Sequence, residues 1–443
     1  MNIKELSNVI RDAGVVGAGG AGFPTYVKLD ERANTIIMNC AECEPLLKLH
    51  RQLLEQYAYE IMKTFNMVAE TVNADEAIIG IKKEYKATVQ ALNKYIDEFP
   101  KVRIHLLDGV YPMGDEVVLI YEATGRVVRP GGLPIEEGIA VFNVETIYNI
   151  YRALEKNEPV TDKVVSVVAE VEHPVTVRVP LGCTIEEVVA LAGRTTVKDP
   201  VYLVGGPMMG NLGTGSQPVT KTTNAILVLP QDHYLVTKKR SNPSIDMNRA
   251  ASICCQCQMC TDLCPRHALG HPIQPHLFMR AASNKDFQDM NPFINTMFCS
   301  SCGLCELFSC PQGLSPRSLM AVYKGGLRKA GVKPPQGVVP TPVKESREYR
   351  KAPEERLEAR LGLHKYNVDA PLNDTVVPMD KVKILLGQHI GAPAKAIVKK
   401  GDMVKVGQMI GQPADGLSVG IHASIDGKVT EVGDSYIVIS KTK

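Results

Sequence analysis

Eight of the chain's twelve cysteines dominate what it can fold around. They fall in two runs, Cys254-x2-Cys257-x2-Cys260-x3-Cys264-Pro265 and Cys299-x2-Cys302-x2-Cys305-x4-Cys310-Pro311. Three thiolates at successive x2 spacing wrap one corner of an iron–sulfur cubane, and the fourth, Pro-flanked cysteine of such a run ligates the other cluster. The spacing therefore predicts one [4Fe-4S] centre on Cys254, Cys257, Cys260 and Cys310, and a second on Cys299, Cys302, Cys305 and Cys264. Structural zinc is the competing reading, but it favours two well-separated C-x2-C pairs per ion over triplets. The x4 gap before Cys310 departs from the usual x3. Cys255 is out of register and is expected either as a buried thiol or as one standing beside the first cluster's ligands.

Clusters with all their iron sites filled pass single electrons and do no bond chemistry, so the rest of the 443-residue chain must supply the electron donor. At roughly 150 residues per domain the length predicts about three domains. The composition, 44% hydrophobic and 22% charged, is that of a globular protein. No apolar run approaches the roughly 18 residues of a membrane-spanning helix. A net charge of +2 gives no footprint for nucleic acid or an anionic bilayer. Cysteine usage of this kind points to a reducing compartment, hence a cytoplasmic location. At the N-terminus Lys4, Glu5, Arg11 and Asp12 interrupt the apolar residues, unlike a secretory signal. Ile3, Leu6, Val9 and Ile10 instead mark a first helix, with a docking or encapsulation peptide as the alternative.

Gly17-Ala18-Gly19-Gly20-Ala21-Gly22 spells G-x-G-x-x-G, but a helical segment precedes it and the strand-like Asn34 to Asn39 follows. That order is the reverse of a dinucleotide-binding turn. Four glycines in six residues, followed by Phe23-Pro24-Thr25, suit close approach of backbone N–H groups to a phosphate or a planar ring. Asn143 and Thr146, at a predicted helix start, add donors for a phosphate, and Lys28 adds a charge.

With Asn39-Cys40-Ala41-Glu42-Cys43-Glu44-Pro45, Tyr111-Pro112-Met113-Gly114-Asp115-Glu116 and Phe142-Asn143-Val144-Glu145-Thr146, the glycine-rich loop resembles the NADH-oxidising, FMN-binding subunit of respiratory complex I and its relative in the Rnf complex, the RnfC component. The resemblance implies an FMN shell of Gly17, Gly19, Gly20, Gly22, Lys28, Asn39, Glu42, Glu44, Glu116, Asn143 and Thr146, with Phe23 stacking on the nicotinamide nucleotide. Ala41 and Asp115 stand where the complex I pattern carries Asp and Glu. Cys40 and Cys43 spell C-x2-C, which a redox dithiol would share; inside this string they are expected as packing residues.

Val164 to Val171 and Val175 to Val179 read as strands and Thr184 to Ala192 as a capped helix, the order of a β-grasp unit, with no ligand assigned to it. Residues 344 to 365 hold seven basic and five acidic side chains and read as a linker with a solvated helix. From Asn373 the glycine-punctuated strands resemble a biotinyl/lipoyl-type barrel. Val406 to Gly427 contains no lysine, and Gly416-Leu417 occupies the carrier position, so no acyl or carboxyl carrier is expected.

The predicted architecture is α/β and multidomain. A Rossmann-like FMN/NADH domain (1–158) precedes a β-grasp domain (159–235) and a ferredoxin-like helical two-cluster domain (245–330). A linker (331–372) then leads to a C-terminal β barrel-sandwich domain (373–443). The RnfC component has its barrel first, whereas a barrel placed last resembles the PduS-type cobalamin reductases of propanediol-utilisation microcompartments. That resemblance implies an enzyme passing electrons from NADH through FMN and two [4Fe-4S] clusters to a corrinoid, for adenosylcobalamin recycling. It also implies a corrinoid or a corrinoid adenosyltransferase as acceptor, microcompartment proteins as partners, and a cytoplasmic or microcompartment-lumen location. No residue independently marks a corrinoid site, there is no D-x-H-x-x-G string, and no catalytic side chain is assigned. An Rnf-like peripheral electron-transfer protein and a non-catalytic electron-relay or scaffold protein are the alternatives.

Overall fold

The computed structural model describes residues 1–442. The chain opens with α1 (Ile3–Asp12), started by an Asn2–Glu5 capping box and burying Leu6 and Ile10. Three strands follow, β1 (Thr35–Cys40), β2 (Glu76–Lys82) and β3 (Val102–Leu107); after the short β4 (Val110–Tyr111) comes β5 (Ile139–Asn143). They form a parallel sheet in the order β3-β2-β1-β5, with β4 outside it. Both faces are covered, which explains the near-continuous apolar runs of β1 and β2. Ile36 and Met38 point into the core shared with α2 (Leu49–Gln56), α3 (Ala58–Thr71) and α6 (Val144–Glu155); Ile37 points the other way, against α5 (Glu116–Thr124). The chain steps outward from β1 to β3 and then returns to β5 on the far side of β1. The carboxyl ends of β1 and β5 therefore bound a crevice, the place where open parallel sheets bind ligands. Register sets Asn39 directly beside Asn143 there.

A second module holds β6 (Asp162–Ala169), β7 (Val175–Pro180), β8 (Val201–Val204), β9 (Asn211–Gly213) and β10 (Ala225–Leu229). The β6–β7 hairpin is antiparallel, β10 runs parallel to β6, and the order is β7-β6-β10-β8-β9. The cysteine runs lie in a helical module. Its longer helices, Pro243–Ile253, Pro275–Asn284 and Pro316–Lys329, each begin on proline, whose missing N–H costs nothing in the first turn. Phe278 packs edge-on against Phe293 and Tyr323 behind the cysteine loops. The C-terminal barrel has its own core of Val382, Ile384, Ile410, Val429 and Ile439.

The segment expected as a solvated linker is packed. After β11 (Ala352–Pro353), which pairs with β4, the helix Glu354–Leu361 buries Leu357 and Leu361 in the core of the first module. Its charges are neutralised across the contact: Glu354 meets the fully buried Lys82, and Arg347 meets Glu122. The strand at the expected start of the barrel, β12 (Leu372–Val376), instead extends the second sheet beside β7.

Asp162 ties these parts together. Arg152 of α6 and Arg178 of β7 both grip its carboxylate, and Arg178 also reaches Asp374 of β12. Burial alone would raise the Asp162 pKa, but the two guanidinium groups prevail and hold it at about 2. A carboxyl lowered by folding stabilises above its unfolded pKa, near 3.9, and loses that contribution as pH falls toward the folded value. Denaturant titrations should show about 2 kcal/mol of Asp162-dependent stability lost between pH 4 and pH 2. Asp162→Asn should start a few kcal/mol lower at pH 7, because two buried cations lose the carboxylate they share and keep only Glu158 and Asp374, and be flatter across that window.

Candidate electron-transfer site

The crevice at the ends of β1 and β5 is an open cleft of about 890 Å³, its open mouth included. Gly19, Gly20, Asn39, Glu42, Glu44 and Asn143, six residues of the expected FMN shell, line it. Asn39 is locked by donating to the Gly114 carbonyl (2.9 Å) and accepting from Ala41 N–H (3.2 Å). Glu42 accepts from the N–H groups of His50 and Arg51 at the start of α2 (2.9 and 3.4 Å). Burial raises the pKa of Glu42 and of Glu44, and hydrogen bonds to backbone N–H groups oppose the rise in both.

The remaining shell residues stand behind the cleft. Thr146 Oγ1 accepts from Ala18 N–H (3.1 Å) and donates to the Val16 carbonyl (3.2 Å), fastening the glycine-rich loop. Gly17 N–H donates to the Phe23 carbonyl (2.9 Å), which closes that loop on itself and leaves Phe23 half-buried at its base, outside the cleft lining. Gly22 takes a left-handed φ of 73° and packs against Gln388 and His389 of the barrel. Lys28 donates to the Val141 carbonyl (2.6 Å) and pairs with Glu116 (3.4 Å). The start of α6 differs from expectation: the Asn143 side chain accepts from the N–H groups of Glu145 and Thr146, so those helix donors are consumed by their own cap. The N–H groups of Gly19 and Gly20 have no protein acceptor among the described residues and are left available as donors. A Cβ on Gly20 would meet nothing within 4 Å, whereas one on Gly19 would strike Asn143 Nδ2 at 2.4 Å. The loop is thus held close on one side and open on the other, a cradle that fits a phosphate-bearing planar cofactor.

The cleft also contains residues outside the expected FMN shell. His50 is buried, with Nε2 3.2 Å from Asn143 Nδ2. Because Asn143 Oδ1 is committed to helix N–H groups, its amide NH2 donates to His50 Nε2, which leaves the imidazole proton on Nδ1, 3.7 Å from Glu42. Burial lowers the His50 pKa to about 4, so the ring is neutral at pH 7. Cys43 lines the cleft while Cys40 is buried in packing. Met209 and Asn224 enter from the second module, and Ser300 and Cys302 from the cysteine module. Only a three-dimensional fold reveals these, since each comes from a different part of the chain.

The eight cysteines gather as two sets of four. Cys254, Cys257, Cys260 and Cys310 line one pocket and Cys264, Cys299, Cys302 and Cys305 another, the exchanged pairing that the Pro-flanked cysteines imply. The two triplet loops have one backbone shape. Left-handed residues recur two and four positions after the first cysteine, at Gln256 and Gln258 and at Ser301 and Gly303. N–H donors face sulfur in both: Gln256 Nε2 lies 3.2 Å from Cys254, Ser301 N 3.3 Å from Cys299 and Leu314 N 3.4 Å from Cys310. The extra residue before Cys310 is absorbed after the short helix Leu304–Leu307, where Ser309 bonds back to the Leu304 carbonyl (3.0 Å). Burial pushes the thiols of Cys260 and Cys264 up to about 12, so four thiolates can share either pocket only around a cationic centre, which iron supplies. Of the two places expected for Cys255, it takes the one beside the ligand set: it is exposed rather than buried, at the rim of the first pocket, where Cys257 is also exposed.

The pockets and the cleft are joined. Cys302 lines both the cleft and the second cysteine pocket, and its carbonyl accepts from Tyr111 Oη (2.6 Å). Arg266, beside Cys264, pairs with Asp115 at the start of α5 (2.9 Å).

Comparison with known proteins agrees with this layout. Residues 10–152 match the Nuo51 FMN-binding domain, residues 253–315 a 4Fe-4S dicluster domain and residues 363–442 the RnfC barrel sandwich hybrid domain. The cobalamin reductase PduS of Citrobacter freundii is 41% identical over 97% of this chain and 95% of its own length. That of Salmonella typhimurium strain LT2 is also 41% identical, over 99% and 97%. The chain belongs to the PduS cobalamin reductase family. A component of the ion-translocating oxidoreductase complex of Vibrio cholerae, its RnfC-type member, is more distant, 34% identical over 62% of this chain and 34% of its own. In fold, the PduS-family chain is similar to an NAD+-reducing [NiFe]-hydrogenase, with a TM-score of 0.50 and 23% identity over 76% of this chain and 64% of that one. No helix among the described residues is long and apolar enough to cross a membrane.

The exchanged pockets predict a pairwise pattern. Cys264→Ser and Cys302→Ser should abolish one and the same cluster, and Cys257→Ser and Cys310→Ser the other, each variant keeping about half the iron. Iron analysis with EPR of the reduced proteins checks this.

Proposed function

We propose that the chain is an NADH-dependent flavo-iron-sulfur oxidoreductase that reduces a corrinoid, cob(III)alamin or cob(II)alamin, for adenosylcobalamin recycling. The observation that carries the reading is that Cys302 belongs at once to the cleft and to the nearer cysteine pocket. When bound, FMN takes up two electrons as a hydride and gives them up singly, the conversion that [4Fe-4S] clusters need. Gly19 and Gly20 offer N–H groups to the phosphate, and Asn39, Glu42, Glu44 and Asn143 line the ring and ribityl positions. Gly17, Gly22, Phe23, Lys28, Glu116 and Thr146 hold that wall in shape. Cys264, Cys299, Cys302 and Cys305 hold the cluster nearer the cleft, and Cys254, Cys257, Cys260 and Cys310 the outer one, beside the surface. The exposed rim at Cys257 makes the outer pocket the exit toward the acceptor, a corrinoid or a corrinoid adenosyltransferase.

Residues 1–158 act as the Rossmann-like FMN/NADH domain and 245–330 as the two-cluster domain. The second module, with its β7-β6-β10-β8-β9 order and parallel β6–β10 pair, is a β-grasp domain. The C-terminal barrel serves as a brace: Arg11 donates to the Ala414 carbonyl (3.2 Å) of the hairpin that would carry a lysine in a carrier domain. The protein works in the cytoplasm or in a microcompartment lumen, the location that the resemblance to the PduS-type reductases implies.

The test is anaerobic. Protein reconstituted with iron, sulfide and FMN should lose flavin colour on addition of NADH, then show cluster and corrinoid reduction. Bleaching without corrinoid reduction removes the acceptor assignment, and no bleaching at all leaves a relay or scaffold protein. Gly20→Leu, whose side chain would enter open cleft space, should lose bound FMN with iron content and unfolding midpoint unchanged.

A further inference from the structure

The β-grasp module has no ligand assigned to it, yet it forms one wall of the cleft. Two of its loops reach in. The first, Gly205–Gly210, is held by Glu44, which accepts from the N–H groups of Met208 (2.8 Å) and Met209 (2.9 Å). Lys239 anchors the same loop from behind by donating to the carbonyls of Met208 and Gly210. Gly206 lies so close to Glu44 that a Cβ there would sit 2.2 Å from its carboxylate. The second loop, Thr220–Asn224, leads into β10 and is held at three points. Thr223 Oγ1 accepts from Thr220 N–H (3.1 Å), and the Asn224 carbonyl accepts from Ser166 N–H (3.0 Å) on β6. The third point is Lys221. Its N–H donates to Gln388 of the barrel (3.0 Å), and its ammonium donates to the carbonyls of Gly14 (2.6 Å) and Gly420 (3.1 Å). One buried lysine therefore joins the flavin module, the β-grasp module and the barrel, and sets where Asn224 stands.

The buried polar side-chain atoms of the cleft are otherwise satisfied internally. Asn39 and Asn143 each use their amide oxygen on backbone N–H groups, and so do Glu42 and Glu44 with their carboxylates. Asp115 caps α5 and pairs with Arg266, and His50 is taken by Asn143. Asn224 Oδ1 is the exception: it is buried, lies on the cleft wall, and has no hydrogen-bond partner among the described residues. A rigidly placed, desolvated acceptor is what a site presents when its partner is the ligand.

We propose that Asn224 is a ligand-positioning residue of the β-grasp module, its side-chain oxygen accepting a hydrogen bond from the amide-type N–H edge of the molecule bound in the cleft. Two ligands of the proposed function carry such an edge, the flavin ring at its N3–H imide and the nicotinamide at its carboxamide. The assignment rests on the FMN and NADH reading of the cleft. It gives the β-grasp module a part in binding rather than that of a spacer.

Binding constants decide between these sources. FMN affinity is read by fluorescence quenching on apo-flavin protein, and NADH affinity by titration of the FMN-loaded, oxidised protein under anaerobic conditions in the dead time before turnover. Asn224→Ala should weaken one of the two by about 3- to 10-fold, the worth of one hydrogen bond, with iron content unchanged. A loss confined to FMN assigns the contact to the imide, and a loss confined to NADH assigns it to the carboxamide. Asn224→Asp, which keeps an acceptor oxygen, should bind more tightly than Asn224→Ala; equal or weaker binding overturns the acceptor role. A test without any substitution uses the wild-type protein with N3-methyl-FMN and with NADH methylated at the carboxamide nitrogen. One analogue should bind about 3- to 10-fold more weakly than its parent. If wild-type protein binds FMN and NADH while both analogues and both variants bind like their references, the Asn224 assignment fails alone. If wild-type protein binds neither ligand, the functional reading fails first.

Discussion

Glu44 holds the molecule's working parts together. Its buried carboxylate, four residues beyond the last residue of β1, accepts two successive peptide N–H groups from the Gly205–Gly210 loop, so the end of the parallel sheet and the second module share one wall. A carboxylate bound by backbone N–H groups is specific for both position and charge, and burial makes it costly to leave unpaired. Single-electron transfer needs its centres close together and screened from water. Here that requirement is met by modules docked around one crevice, with Tyr111 and the Asp115–Arg266 pair bringing the cysteine loops to the same place.

Much of this is legible in the chain itself. The cysteine triplets and their Pro-flanked fourth members dictate two sets of four, because only a limited set of backbone shapes places three thiols at x2 spacing around one space. Motif alone picks out Asn39 and Asn143, and parallel register sets them side by side. The glycine-rich loop reads as an approach surface rather than a dinucleotide turn, and its free N–H groups at Gly19 and Gly20 fit that reading. What escapes are residues whose role depends on distant partners. His50, Met209 and Asn224 enter the cleft from three separate segments, and none has a local spacing that marks it; Cys302 is marked as a cluster ligand, but not as a wall of the cleft. Thr146 sits in the right motif, yet its hydroxyl is used by the loop's own backbone, once as acceptor and once as donor, and the Phe23 carbonyl closes the same loop by accepting from Gly17 N–H.

The charged stretch after residue 344 shows why charge pattern alone misleads. Interspersed basic and acidic residues normally mark a solvated face. Here Leu357, Leu361 and Leu363 enter the core, and Arg347 and Glu354 find counter-charges on the first module. The chain thus returns from the cysteine module across the flavin module, adds β12 to the second sheet, and ends in a barrel whose hairpin rests on α1. The return path makes the C-terminal third part of the cleft's support, reaching the glycine-rich loop at Gly22, whose carbonyl accepts from Ile390 N–H (3.1 Å).

The proposed electron path has one order: cleft, then the pocket of Cys264, Cys299, Cys302 and Cys305, then the pocket of Cys254, Cys257, Cys260 and Cys310. Rapid freeze-quench EPR after mixing NADH with FMN-loaded Cys302→Ser protein tests it most directly. On this path the flavin is reduced while the outer cluster, intact in this variant, stays oxidised on the timescale of wild-type reduction. Reduction of the outer cluster at the wild-type rate would contradict it.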